Sequence, residues 1–278
     1  MVRFRMNSNM GKAKLKYLII NSTILFCVAN ILEMTLHEFG HFFASIIVGA
    51  KGISIHHNYV LNIDQGLQLG SILLIKAGGP LVSLIIGIIF HAVCSQQKER
   101  NLYFLFNLYM ASFGYIGIFG YLMISPVFTG GDTGYICLAL KFPLWLTITI
   151  AISSALTLYL LFRNLMKYFV EMGTREIIEK KATRIPFIHS LLMAPVILGM
   201  TVTAILNLPV ITAISLIAPI CCPLTFFWDY GNALFKKYDL RIANNNLKKI
   251  NQFNTVLVLA LIFTVFYNRL LVIGINYN

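Results

Sequence analysis

Long apolar runs separated by short basic stretches organise this chain. Windows of about 20 residues, the length a helix needs to cross a bilayer, pick out spans at 17–49, 67–93, 102–124, 142–165, 187–207, 209–228 and 253–273. A further apolar stretch, 125–141, is broken by Pro126, Gly130, Gly131 and Gly134. It reads as a re-entrant segment, tolerated at membrane depth only where protein or a cavity covers it. The pattern predicts an all-α fold: a polytopic transmembrane helix bundle of about 6–7 spans with that re-entrant segment near 125–141.

Within the first run stands His37-Glu38-Phe39-Gly40-His41. On a helix the two histidines share a face about 6 Å apart. That spacing lets two imidazoles grip one Zn²⁺, with Glu38 beside them to take a proton from the metal's water. Polar groups at membrane depth are costly unless something binds them, and a metal answers that cost.

Composition supports the membrane class. Of 278 residues, 58% are hydrophobic and only 12% charged, where a soluble domain carries about 25%. The net charge of +12 would point to nucleic acid in a soluble protein. Here the basic residues cluster in the loops between apolar runs, and no nucleic-acid partner is expected. Of 22 Lys and Arg, all but Lys51, Lys76, Lys141 and Arg269 fall on one side of the alternating spans. That asymmetry puts the N-terminus in the cytoplasm. Arg3, Arg5, Lys12, Lys14 and Lys16 precede the first run without a small-residue cleavage site, so the run is expected to stay as an uncleaved helix. The five cysteines form no CxxC pair and read as small apolar residues, not as thiolate ligands or disulfides.

A third ligand has few sources. Among the carboxylates only Glu33, Glu38 and Asp132 lie in apolar surroundings. Positions 33, 37 and 41 of one helix spread over about 12 Å, too far for one ion, and Glu38 is needed as the base. Asp132, in Phe128-Thr129-Gly130-Gly131-Asp132, remains, and three alternating spans bring it to the same half of the membrane as His37 and His41. His91 and His189 fall in the other half. His56 and His57, in a loop on the ligand side, remain weaker competitors. Glu33 and Lys76 are single charges on neighbouring spans, expected to form a structural pair or to support the metal ligands. The stretch Gly52–Val60 alternates like a strand and is read either as an edge for an extended substrate or as a plain connecting loop.

The HEFGH pentapeptide, the segment Ala77-Gly78-Gly79-Pro80-Leu81 in the next span, and an aspartate among glycines after the third resemble the site-2 proteases, intramembrane zinc metalloproteases. The resemblance covers roughly residues 17–165. It implies one zinc per chain held by His37, His41 and Asp132, Glu38 as general base, and substrate-facing backbone at Gly78, Gly79 and Pro80. The residues themselves, apart from the resemblance, add His56, Glu33 and Lys76 as candidate supporting or substrate-binding positions. Two motifs differ: Tyr121-Leu122-Met123-Ile124-Ser125-Pro126 stands where members usually read Asn-Leu-x-Pro, and Gly131 replaces the usual leucine before the aspartate. In many members the catalytic helix also runs in the direction opposite to that implied by the basic loops here.

The organisation expected is therefore a site-2-protease-like catalytic core over 1–168, a cytoplasmic linker over 169–186 and an accessory transmembrane bundle over 187–278. The expected activity is that of an intramembrane zinc metalloendopeptidase in a bacterial inner membrane. Its partners are lipid, a transmembrane protein or peptide substrate and an unidentified regulatory membrane protein. Two other readings compete: a zinc transporter, and a catalytically silent relative that binds a client. A carrier needs a second ligand-rich helix facing the first, and a pure binder has no need of Glu38.

Overall fold

The computed structural model describes residues 8–210, 222–236 and 250–277, with side chains from Leu15 onward and none at Cys222. Within them six helices are long and apolar enough to cross a membrane: Leu15–Ile47, Leu69–Gln96, Leu102–Ile124, Leu144–Val170, Lys181–Leu206 and Thr255–Ile273. The chain is a multi-pass membrane protein with an all-α core. The expected span 209–228 falls largely outside the described residues, and its described end, Cys222–Phe227, is a short 3-10 helix.

The first helix, α1 (Ser8–Ile47), ends at Gly49, whose φ of +72° reverses the chain. A hairpin follows, β1 (Lys51–Ile55) and β2 (Val60–Ile63), then α2 (Leu69–Gln96). Asn101 caps α3 (Leu102–Tyr115) by accepting from the Phe104 amide at 3.0 Å. This helix widens into a π turn at Ile116–Gly120 before finishing as α4 (Tyr121–Ile124). Next come the short α5 (Asp132–Ala139) and the long α6 (Leu144–Val170). After α7 (Arg175–Glu179), α8 (Lys181–Ile188) passes through a second π turn into α9 (Ala194–Leu206). The segment 125–141, expected as re-entrant, is a turn followed by α5 and a second reversal at Lys141 (φ +54°).

The lipid-facing surface is legible in the exposed side chains. On α6, Trp145, Ile148, Ile152, Leu156 and Leu160 are exposed at three- and four-residue spacing, a single stripe. The opposite stripe, Leu158, Phe162, Leu165 and Phe169, is buried. Apolar residues outside and the tightest packing inside are what a lipid solvent favours.

The interior is centred on Phe226. Its ring lies 5.1 Å from Phe162, 5.7 Å from Phe113, 5.9 Å from Phe26 and Tyr109, and 6.1 Å from Phe169, centroid to centroid. Tyr109 Oη donates to the Leu191 carbonyl at 3.1 Å, and Ser22 Oγ donates to the same carbonyl at 2.7 Å. One core therefore joins residues on both sides of the expected 168/187 boundary. Residues 169–186, expected as a solvated linker, are packed in part: Val170, Met172, Ile178 and Arg184 are buried. Glu171 is buried as well and accepts from the Arg100 guanidinium at 2.7 Å. Helix α8 also begins six residues before the expected span start at 187.

Of the strand-like stretch 52–60, residues 52–55 lie in β1 and 56–59 are the turn of the hairpin, and β1 is not a free edge. A three-stranded antiparallel sheet has the order β2-β1-β3, where β3 is Ile275–Tyr277. With Ile55 opposite Val60 on one side and Ile275 on the other, β1 is the central strand. Among the described residues β2 and β3 are the two edge strands of this sheet.

Candidate metal centre

Three elements meet at His37 and His41: the second half of α1, the first half of α2, and the start of α5. What lets α2 come so close is an absence of side chains. A Cβ on Gly40 would lie 2.4 Å from the Gly78 carbonyl oxygen, and one on Gly78 would lie 2.4 Å from that of Gly40. The two helices therefore cross backbone to backbone, as small residues permit in membrane bundles. Pro80 sits inside α2 and lacks the N–H that would bind the carbonyl one turn back, at Lys76. One residue before that carbonyl, the Ile75 carbonyl receives His41 Nδ1 at 2.7 Å.

The donor atoms converge. His37 Nε2 and His41 Nε2 lie 3.1 Å apart, and Asp132 Oδ2 lies 3.3 Å from the first and 3.2 Å from the second. Three ligands of a tetrahedral ion bound at about 2.0–2.1 Å should stand about 3.3 Å from one another, so this triangle has the right size. Its fourth corner opens to a cavity. His37, His41 and Asp132 are the group among the described residues that could hold a metal ion.

The hydrogen bonds fix which ring nitrogens are free. His41 Nδ1 has the Ile75 carbonyl at 2.7 Å and the Gly79 amide at 3.4 Å. A ring nitrogen cannot donate and accept at once, and the shorter contact sets it as a donor. Ser83 Oγ donates to Glu33 Oε1 at 2.5 Å, so its lone pair accepts from His37 Nδ1 at 2.9 Å. Both imidazoles thus spend Nδ1–H on an acceptor and turn a bare Nε2 lone pair to the triangle, as metal-bound histidines do. Gly117 in the π turn makes room for this pair: a Cβ there would lie 2.5 Å from Ser83 Oγ and 2.7 Å from Glu33 Oε1. Replacing Ser83 by alanine is expected to weaken metal affinity about 10–100-fold, read by competition with a chelating dye, with Ser83→Thr restoring most of it.

Asp132 is the first residue of α5, and Gly131 occupies the cap position; the carboxylate does not serve as a helix cap. A Cβ on Gly134 would strike the Phe128 carbonyl at 2.1 Å, so the glycine-rich loop folds tightly back on α5 and aims Asp132 at the histidines. Tyr121, on α4, stacks on His37 with ring centroids 5.5 Å apart.

Other sequence candidates sort clearly. Glu38 is buried and lines the cavity with the three donors. Glu33 is bound through Ser83 to His37 and does not pair with Lys76, whose ammonium lies 5.7 Å over the Tyr135 ring at the cavity wall. Gly78 and Gly79 seat α2 against α1, and none of Gly78, Gly79 and Pro80 lines the cavity. His56 turns away: it bonds Ser54 Oγ at 2.9 Å, stacks on Tyr59 at 4.3 Å and approaches the Val272 carbonyl at 3.4 Å. His57 Nε2 donates to the Asn207 carbonyl at 3.0 Å, and burial holds its pKa below the usual histidine value. Neither loop histidine joins the donor triangle. His91, bonded to Tyr115 Oη at 2.9 Å, is remote too.

Sequence reasoning missed Ser83, Tyr121 and Asn30. The helical stripe 30, 34, 37, 41 on α1 was a usable signal for Asn30. Nothing local marked the other two.

The cavity measures about 270 Å³ and is lined by polar groups from α1, the hairpin and α2, among them Asn58, Asn62 and Lys76. No protein-family model matches the chain, and neither curated proteins nor solved structures yield a match.

Proposed function

We propose that this protein is an intramembrane zinc metalloprotease that hydrolyses peptide bonds in or next to transmembrane segments. One observation carries the reading. A metal-sized triangle of two imidazoles and a carboxylate opens onto a cavity of a membrane bundle, and the carboxylate next to the first histidine lines that same cavity. Two imidazoles with one carboxylate suit zinc among common ions, in the pattern of catalytic sites that leave a position open.

Zinc, when bound, would supply Lewis acidity, lowering the pKa of a coordinated water to about 7 and polarising the scissile carbonyl. His37, His41 and Asp132 would hold it. Glu38 takes the proton of the attacking water and delivers it to the leaving amine. Glu33 and Ser83 keep His37 in the tautomer that faces the ion. A substrate helix hides its peptide groups in its own hydrogen bonds, so it must unwind, and the outer edge of β2 offers it backbone partners as an added strand. Val60 and Asn62 of that strand line the cavity.

The basic loops support a cytoplasmic N-terminus, which puts this site in the extracytoplasmic half of a membrane, here taken as a bacterial inner membrane. The resemblance of HEFGH and the glycine-flanked Asp132 to the site-2 proteases supports the same activity.

The test is metal analysis of purified wild-type protein, run beside cleavage of a panel of transmembrane peptides in detergent and zinc flux into vesicles. About one zinc per chain with chelator-sensitive cleavage is the expected result. Protein that binds no zinc, or that binds zinc and cuts nothing, sinks the proposal. Zinc carried across vesicles without proteolysis would establish a transporter instead.

A further inference from the structure

Lys76 is a cation within a membrane bundle, and the chemistry of the metal centre leaves it unused. Its position on α2 turns it away from lipid. Leu74, Leu81, Ile85 and Ile88, all exposed, form the lipid-facing stripe of that helix. Lys76 falls on the opposite stripe, at three- and four-residue spacing with Pro80, Ser83 and Gly87, and those three are buried. The side chain lines the metal cavity.

Inside, the ammonium has no counter-ion. The ion pairs among the described residues are His37 and His41 with Asp132, Arg100 and Lys167 with Glu171, and Arg175 with Glu179. What Lys76 does meet is the face of Tyr135, 5.7 Å from the ring centroid. A cation–π contact returns less than an ammonium loses on leaving water. The carboxylates on the same cavity wall are otherwise engaged. Glu33 accepts from Ser83, Asp132 meets the two histidines, and Glu38 serves as the base. An ammonium carries three N–H donors and no acceptor, so the group that answers it is an anion.

Tyr135 also sets where that anion lies. It follows Asp132 by three residues on α5, about 4.5 Å along the helix axis. An extended chain covers that distance in one to two residues, at about 3.3 Å each. The ammonium is thus offset from the metal centre, toward a neighbouring residue of a bound polypeptide.

Resting on the protease reading, we propose that Lys76 sets substrate preference: its ammonium binds a carboxylate of the substrate one or two residues from the bond that is cut. An acidic side chain and a free C-terminus both supply that group.

The probes are fluorescent peptides with one apolar segment and a central Gly-Pro break. One set carries Glu or Gln in turn at each of three positions on either side of the break. A second set ends two residues past the break, as a free acid or as an amide. The members of each pair differ in charge and hardly in shape. Anisotropy gives their affinity ratio on zinc-loaded Glu38→Gln protein, and on the same protein carrying Lys76→Met or Lys76→Arg. At one side-chain position, or at the free C-terminus, the acid should bind about tenfold tighter, the scale of one charge-assisted hydrogen bond. Where that preference falls identifies the source of the carboxylate. Lys76→Met should bring the ratio to one by weakening the acid alone, and Lys76→Arg should keep most of the preference.

A ratio of one throughout overturns the carboxylate site. So does a preference that survives Lys76→Met, which assigns the acid to the metal or to another group. Lys76→Met protein that weakens acid and amide equally marks a structural lysine and overturns it too. Zinc-loaded protein that binds none of the peptides overturns this site and the protease reading together. A Lys76-dependent preference in a protein whose wild type cuts none of the peptides overturns the protease reading alone.

Discussion

Gly79→Ala should strip the metal centre while leaving the bundle folded. A methyl at this position would lie 2.3 Å from His41 Nε2 and 2.5 Å from His37 Nε2, two of the three atoms that could hold a metal ion. The helices cannot separate to admit it, because Gly40 and Gly78 fix their crossing one residue earlier at backbone contact. The rings must turn, and turning them breaks the Nδ1 bonds to Ile75 and Ser83. Metal content is expected to fall at least tenfold on mass spectrometry, and cleavage with it. Gly70→Ala, on the same helix with nothing within 4 Å of its added Cβ, is the control. It should keep full metal and gain slightly in stability, since alanine favours helix by up to about 1 kcal/mol. A Gly79→Ala protein with wild-type metal content would show that the ion does not sit between these two nitrogens.

Glu38→Gln should separate binding from chemistry. The side chain is not one of the three donors, so zinc content should match wild type. The amide that replaces the carboxylate fills the same volume but cannot accept the proton of water, and loss of a positioned general base costs about 10²–10⁴-fold in rate. Cleavage of the peptide panel should fall by at least that much, with peptide binding retained. Asp132→Asn makes the contrast, losing an anionic ligand and with it most of the metal. Cleavage that survives Glu38→Gln would mean that another group moves the proton. Loss of zinc on Glu38→Gln would place this carboxylate among the ligands.

The spans and the histidine pair were legible because both rest on short-range periodicity. Apolar runs longer than a bilayer is thick leave little choice but a crossing helix, and five of the seven expected spans reappear within a few residues. Residues at i and i+4 share a face wherever the helix goes. The roles around that pair were harder to read. Glu33 looked like half of an ion pair with Lys76, since two lone charges on adjacent spans favour pairing. The structure gives Glu33 to Ser83, whose hydroxyl reaches both it and His37. The strand character of 52–55 was legible but not the central place of β1, because β3 comes from the far end of the chain.

By itself the sequence determined that this chain crosses a membrane several times, that two imidazoles and a carboxylate share one helix turn, and that few carboxylates could join them. Those are facts of local geometry and of lipid as a solvent. Only the tertiary structure decided that Asp132, over ninety residues away, lands within 3.3 Å of both histidines, and that Gly79 must be bare for them to meet. It alone placed Asn30 in the wall of the metal cavity. Contacts between distant elements depend on where helices cross, and a crossing is fixed by the fit of two surfaces to one another.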